Sequence, residues 1–198
     1  MTKVTCDMAV SVDGFAAGPN QSRDKPFGDG PVDRLHQWMF DQPEANAAEI
    51  EAIGAASALV MGRNMFGPGR GTWDESWKGW WGDDPPYHAP VFVLTHHPRE
   101  PVEMQGGTTF TFVTDGIESA LAQAHEAAGS GDVAIAGGAA TVNQYLAAGA
   151  IDELRLHVAP VVLGVGERLF DGVGALSLEP LGVRATDLVT HLSYRVIH

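Results

Sequence analysis

The chain has 198 residues, 44% of them hydrophobic, with 25 acidic against 12 basic side chains and a formal charge of -13. That length supports one substantial core and the composition shows no break, so residues 1–198 read as a single domain. The acidic balance leaves no basic stripe for sequence-independent nucleic-acid binding, and no run approaches the roughly 18 apolar residues of a membrane span.

Cys6 is the only cysteine, so no intrachain disulfide can form, and its apolar surroundings predict an inert, buried thiol. No secretory leader pattern precedes the first strand, which makes a cytoplasmic location the expectation. Lys3 to Val12, KVTCDMAVSV, predicts that strand, largely buried and ending in the turn pair Asp13-Gly14. The chain then stays irregular to about Gly30, either as a cover for a site or as a plain surface turn.

Pro31 opens a predicted helix with Leu35, Trp38 and Met39 on one stripe, and Pro43 interrupts it. A second helix is expected from Glu44 to about Ala55, with Ala47, Ile50 and Ile53 on one side, before the strand Ser57 to Gly62. Strand, helices, strand implies a sheet with parallel neighbours. In MGRNMF, Met61 to Phe66, Gly62 permits close approach and Arg63 stands at the start of a short helix, where a helix end and a planar guanidinium both favour an anion. The alternative is a surface arginine paired with an acidic residue.

Residues 67 to 90 carry Trp73, Trp77, Trp80, Trp81 and Tyr87 among glycines, prolines and acids. Such a loop can line a pocket, enter a dimer contact or fold its rings onto its own domain. Val91 to Thr95 predicts a third buried strand, followed by His96 and His97. Adjacent histidines diverge and no ligand cluster accompanies them, so Thr95 and His96 read better as a phosphate-facing strand end, or as solvated loop, than as metal ligands.

The strand Thr109 to Val113 leads to Asp115 and Glu118, spaced as a capping box, and to a helix with Ile117, Ala120, Leu121, Ala124 and Ala128 on one face. In DVAIAGGAATVNQYL, Val133 to Ala136 reads as a buried strand and Val142, Tyr145 and Leu146 as a helix face, with Gly137 and Gly138 at the join. The free amides of such a helix start favour a phosphate, so a cofactor diphosphate is expected on this turn. The same pattern also describes an ordinary strand–helix connection, and it is not the G-x-G-x-x-G fingerprint. Beyond Gly149, Leu154, Leu156 and Val158 alternate with Glu153, Arg155 and His157, predicting a strand with one drier face. A glycine-rich loop, Leu163 to Gly172, and two strands, Leu176 to Arg184 and Leu188 to Ile197, close the chain as an antiparallel pair.

Four segments in this order, SVDGFAA, VMGRNMF, AGGAATVNQYL and IDELRLHVAPVVLGVGERLF, resemble the dihydrofolate reductase-like superfamily, in particular its branch containing the reductase domain of riboflavin biosynthesis. The resemblance implies an α/β, dihydrofolate reductase-like three-layer fold, with a mixed central sheet and an antiparallel carboxy-terminal strand pair. It further implies NADPH at the carboxyl ends of the strands. On that resemblance Gly62, Arg63 and Asn64 match the helix start that holds cofactor phosphates, with Arg63 toward the 2'-phosphate. Thr95 and His96 match the strand end beside it, Gly137, Gly138, Ala139, Ala140 and Thr141 match the diphosphate turn, and Ala9 with Ala16 flank the nicotinamide.

Folate reductases carry an acid on the first helix. Asp33 stands in a similar context, although the helix after Pro43 departs from that pattern, and Asp13 and Asp33 are the candidates for substrate contact or proton supply. The riboflavin enzymes often add a zinc deaminase, whose H-x-E and P-C-x-x-C motifs are not in this sequence. The expected activity is hydride transfer from NADPH to a small heterocyclic or phosphosugar-linked C=N or C=O acceptor, in a homodimer, similar to 5-amino-6-(5-phosphoribosylamino)uracil reductase. Folate-type reduction, a catalytically silent nucleotide-binding or interaction protein, and a histidine-based metal hydrolase are the alternatives.

Overall fold

β1 (Val4–Ser11) runs through the middle of the sheet because every second side chain, Val4, Cys6, Met8 and Val10, is apolar and buried on one face. The computed structural model describes residues 2–197. After the turn at Asp13-Gly14 comes β2 (Phe15–Ala17), then a loop, a 3-10 turn at Val32–Leu35 and the short helix α1 (Gln37–Asp41). The single helix expected after Pro31 is therefore split, since the 3-10 turn closes at His36 before α1 begins. Leu35 and Trp38 of its predicted stripe are both fully buried. The second helix also shortens, to a 3-10 turn at Glu44–Asn46 and α2 (Ala47–Ile53), and none of the residues of α2 is buried.

β3 (Ala58–Gly62) and α3 (Arg63–Phe66) follow, then the irregular segment to β4 (Pro90–Leu94), the two-residue β5 (Val102–Glu103) and β6 (Thr109–Val113). α4 (Ile117–Ala128) is capped by the backbone at Gly116 with no side-chain cap; Asp115 instead accepts from the Thr114 hydroxyl, so the expected capping box is not formed. β7 (Val133–Gly137), α5 (Ala139–Ala147), β8 (Glu153–Ala159), β9 (Glu167–Arg168), β10 (Ser177–Ala185) and β11 (Thr190–Ile197) complete the chain.

The main sheet has the order β10-β11-β8-β1-β7-β3-β4-β6-β5, parallel from β8 to β6, with antiparallel strands at both ends. The parallel strands need helical crossovers. α4 packs on β3 and β4, and α5 on β7, together covering one face, here the back. The front face has two separate covers. The turn before α1 lies on β1 and β8, whereas α3 and the tryptophan segment lie on β3, β4 and β6. Helices and loop segments on both faces of a mixed sheet make the three layers the sequence implied.

The alternation in β8 misled in one respect. His157, expected on the wetter face, is 2% exposed, because Trp38 packs over it. Cys6 is fully buried, and burial first, with the nearby charge of Asp7, pushes its thiol pKa well up, consistent with an inert role.

Candidate functional site

Parallel strands end together, so the residues after β1, β3, β4 and β7 gather at one edge of the sheet. The two glycine elbows are in contact there: a Cβ at Gly62 would stand 2.3 Å from Thr141 Oγ1 on α5. Only glycine permits that approach of β3 to the start of α5. Gly137 has φ +124, which an L side chain rarely adopts, and the Gly137-Gly138 peptide is cis. Gly138 precedes α5 without any side-chain cap, and a Cβ there would meet nothing within 4 Å. Thr141 N and Val142 N donate to Gly138 O, while the amides of Ala139 and Ala140 at the very start of α5 have no side-chain cap, the kind of helix end that favours an anion.

Arg63 begins α3 beside this join. Its guanidinium stacks over the Trp73 ring at 3.8 Å and donates to the backbone carbonyls of Gly71 and Thr72, and its buried Nε has no partner among the described residues. No carboxylate pairs with it there, which sets aside the reading as an ordinary surface ion pair. Partial burial lowers its pKa, and its exposed fork of donors is otherwise held, among the described residues, only by backbone carbonyls. Asn64 and His96 are exposed, whereas Thr95 is buried and its hydroxyl binds the backbone of His97.

The segment between α3 and β4 folds its rings inward. Trp73 donates to His97 O and Trp77 to Phe66 O, and Trp73, Trp77, Trp81 and Tyr87 pack on Phe66, Phe110 and Phe112. The buried guanidinium of Arg99 lies 5.1 to 5.6 Å from the Phe66, Trp73 and Phe112 ring centres. Of the three readings of this loop, rings folded on their own domain describes most of it, and Trp73 is in addition the wall behind Arg63.

Asp13 accepts hydrogen bonds from Ser11 Oγ at 2.6 Å, Leu163 N at 3.0 Å and Gly164 N at 2.7 Å. These bonds, Ser11 first, pull its pKa down to about 2. It is an ionised acceptor at neutral pH that fastens the glycine-rich loop to the β1–β2 turn, so the geometry gives no support to proton supply from Asp13. Asp33 is exposed on the 3-10 turn and is not brought to Asp13, Arg63 or Gly138 by any hydrogen bond. Ala9 lies on the front face of β1 against Leu35 and Ala159, and Ala16 packs at the edge of the main core.

Sequence reasoning passed over a buried polar set on this same face, formed by Asp7, His157, His191 and Asn46. Asp7 lies two residues before Ala9, and His157 is Ala9's register partner on β8. The signal was present only as separate fragments, because the strand order β11-β8-β1 that unites them is a tertiary fact.

The profile of the RibD C-terminal domain family matches residues 2–192. The chain belongs to the RibD C-terminal domain family. Among curated proteins it is similar to the uncharacterized protein YyaP of Bacillus subtilis (strain 168), 25% identical over 178 residues that span 85% of this chain and 80% of YyaP. Among solved structures, a protein from Shewanella sp. PV-4 named for riboflavin biosynthesis aligns over 100% of both chains at 23% identity and TM-score 0.71. A pyrimidine reductase-like protein from Corynebacterium diphtheriae aligns over 100% of this chain and 92% of its own at 16% identity and TM-score 0.59. These structures share the fold of the RibD-domain chain. Among the described residues there is no group of three or more His, Cys, Asp or Glu arranged for a metal, and no helix long and apolar enough to cross a membrane.

Proposed function

We propose that this RibD-domain protein is an NADPH-dependent reductase that passes hydride to a small heterocyclic or phosphosugar-linked acceptor bearing a C=N or C=O group. The observation that carries the reading is the Gly62–Thr141 contact, which sets the uncapped start of α5 and the carboxylate-free Arg63 side by side. In this reading Gly137, Gly138, Ala139, Ala140 and Thr141 hold the diphosphate, Arg63, Asn64, Thr95 and His96 the adenosine end, and Ala9 and Ala16 the nicotinamide. The cofactor supplies the hydride when bound, and the protein's part is to orient it and exclude water. Folate-type reduction would ask Asp33 to reach the acceptor from an exposed position, so we rank it second. The single buried cysteine fits a cytoplasmic protein.

The test uses Trp73 as its reporter, since its ring stacks on Arg63. Titration with NADPH should change tryptophan fluorescence, and Arg63→Gln should weaken NADPH binding by about 10–100-fold, as expected for a lost charge-assisted contact, while NADH is weakened far less. Absence of NADPH binding, or equal loss for both nucleotides, overturns the reading.

We further propose that the homodimer forms along β10 rather than through the aromatic loop. β10 is a nine-residue edge strand, exposed except at Leu178, with Val183 72% exposed. Beyond the register break at Pro180, its exposed Leu181 and Val183 offer apolar contact to a second copy. Light scattering should show a dimer that Val183→Lys dissociates, and a monomeric parent or an unaffected dimer overturns this.

A further inference from the structure

Beneath its Trp38 cover the front face carries a chain of buried polar groups that the cofactor reading does not use. Asp7 on β1, His157 on β8 and His191 on β11 stand on three consecutive strands, with His157 opposite His191 in register. The imidazoles are 2% and 4% exposed, and the Trp38 ring lies 4.8 Å from one and 5.0 Å from the other. Asp7 Oδ1 is 3.2 Å from His157 Nε2, the two Nδ1 atoms are 2.8 Å apart, and His191 Nε2 is 2.9 Å from Asn46 Oδ1.

The fully buried Asn46 fixes the proton bookkeeping. Its Nδ2 donates to the carbonyls of Trp38 and Gln42, so the amide cannot be flipped and its Oδ1 must accept from His191 Nε2. Each of the three links then needs one hydrogen: Asp7 to His157, His157 to His191, His191 to Asn46. Two neutral imidazoles bring two, so the chain holds one proton more than an ionised Asp7 beside two neutral rings. Arg155 on β8 binds Asp7 Oδ2 at 2.8 Å, His36 approaches from the turn before α1, and the Glu49–Arg184 pair closes the far end beyond Asn46. With Nε2 donating to Asn46, His191 accepts at Nδ1 from His157 Nδ1, so the third hydrogen lies in the link between Asp7 Oδ1 and His157 Nε2; burial first holds His191 and His36 down to about 4.

We propose that Asp7, His157 and His191 store one transferable proton under the floor of the nicotinamide site, and that Asp7 delivers it to the acceptor during reduction. This rests on the reductase reading above. Asp7 shares the front face of β1 with Ala9, two residues along the strand, and Ala9 is the register partner of His157. As hydride reaches the acceptor carbon, the π pair of its C=N or C=O bond becomes a lone pair on the heteroatom. That pair bonds the Asp7 proton, and the O–H electrons stay on the carboxylate beside Arg155. The chain is left with an ionised Asp7 and two neutral imidazoles, which solvent reprotonates. Asp7 is thus the catalytic residue, and His157 and His191 are positioning residues that act through it.

Nitrogen-detected NMR of the imidazoles, with the carboxyl carbon shift of Asp7, reads the stored proton in the cofactor-free protein. At neutral pH His191 should be neutral with its proton on Nε2, and either His157 is doubly protonated or Asp7 is protonated; Asp7→Asn should remove the extra proton. An ionised Asp7 beside two neutral rings overturns the proposal without touching the reductase reading. In turnover, Asp7→Asn should lower kcat by about a hundredfold or more, the usual worth of a proton donor, with NADPH affinity unchanged. His157→Gln should lower kcat and abolish the basic limb of the pH profile. Full turnover by Asp7→Asn overturns the donor role, and a parent protein that binds no NADPH overturns the reductase reading and the delivery step together, while the NMR result still decides whether the proton is stored.

Discussion

The two covers of the front face are built from opposite materials. Over β3, β4 and β6, α3 and the segment after it bury rings against rings: Phe66 meets Trp73, Phe110 and Phe112 edge-on with centroids 5.6, 4.9 and 5.1 Å away. Over β8 and β11, Trp38 instead seals a hydrogen-bonded set of imidazoles and one amide. Apolar contact is non-directional and indifferent to protons, whereas a buried polar network holds only while every donor and acceptor is matched. One half is therefore a rigid apolar wall, and the other can respond to protonation.

Breaking the aromatic half should have the largest effect. Phe66 is fully buried, and Phe66→Ala should cost about 3–5 kcal/mol, the range for a large buried ring with partial collapse of the cavity. Urea melts should show a lower midpoint at an unchanged slope. The loss should be the same at pH 5 and pH 8, because the neighbouring rings carry no titrating group. A strongly pH-dependent loss would mean that the two covers are not independent.

The polar half sharpens the comparison through pH. His191 has its pKa near 4 in the folded protein, against about 6.5 in the unfolded chain. Between those values the unfolded chain binds the proton and the folded one does not, so stability is complete above pH 6.5 and declines as pH falls toward 4. His36 acts with the same sign. The expected loss is about 1–3 kcal/mol per imidazole, and it should be smaller in His191→Phe, which removes one of the two groups. A flat stability profile from pH 7 to 4.5 would contradict the protonation pattern of this half.

The same contrast explains what the sequence could convey. Strand periodicity in KVTCDMAVSV and the helical spacing of Val142, Tyr145 and Leu146 are local signals, and the structure follows them. The elbows were legible for the same reason, since glycines at a strand end state a backbone need within a few residues. Where reading failed, the cause was tertiary. Asp115 lost its capping position to the backbone geometry at Gly116, with φ +92. His157 looked solvated because its neighbours alternate, and only the packing of Trp38 from 119 positions away makes it dry. The inward turn of the tryptophans could not be chosen over a dimer contact before Phe66, Phe110 and Phe112 were known to share one face.

The smallest effect tests the join on which both halves depend. Gly62→Ala places a Cβ 2.3 Å from Thr141 Oγ1, and Thr141 is 7% exposed and stiff at χ1, so the substitution should cost about 1–3 kcal/mol. Thr141→Ala removes the oxygen but leaves the Thr141 Cβ position 3.5 Å away, an ordinary contact. The double variant Gly62→Ala with Thr141→Ala should therefore recover most of the loss, giving a coupling of about 1–2 kcal/mol between positions 79 residues apart. Simple additivity of the two substitutions would separate the elbows, and the proposed anion site would then lose the contact that brings Arg63 and the start of α5 together.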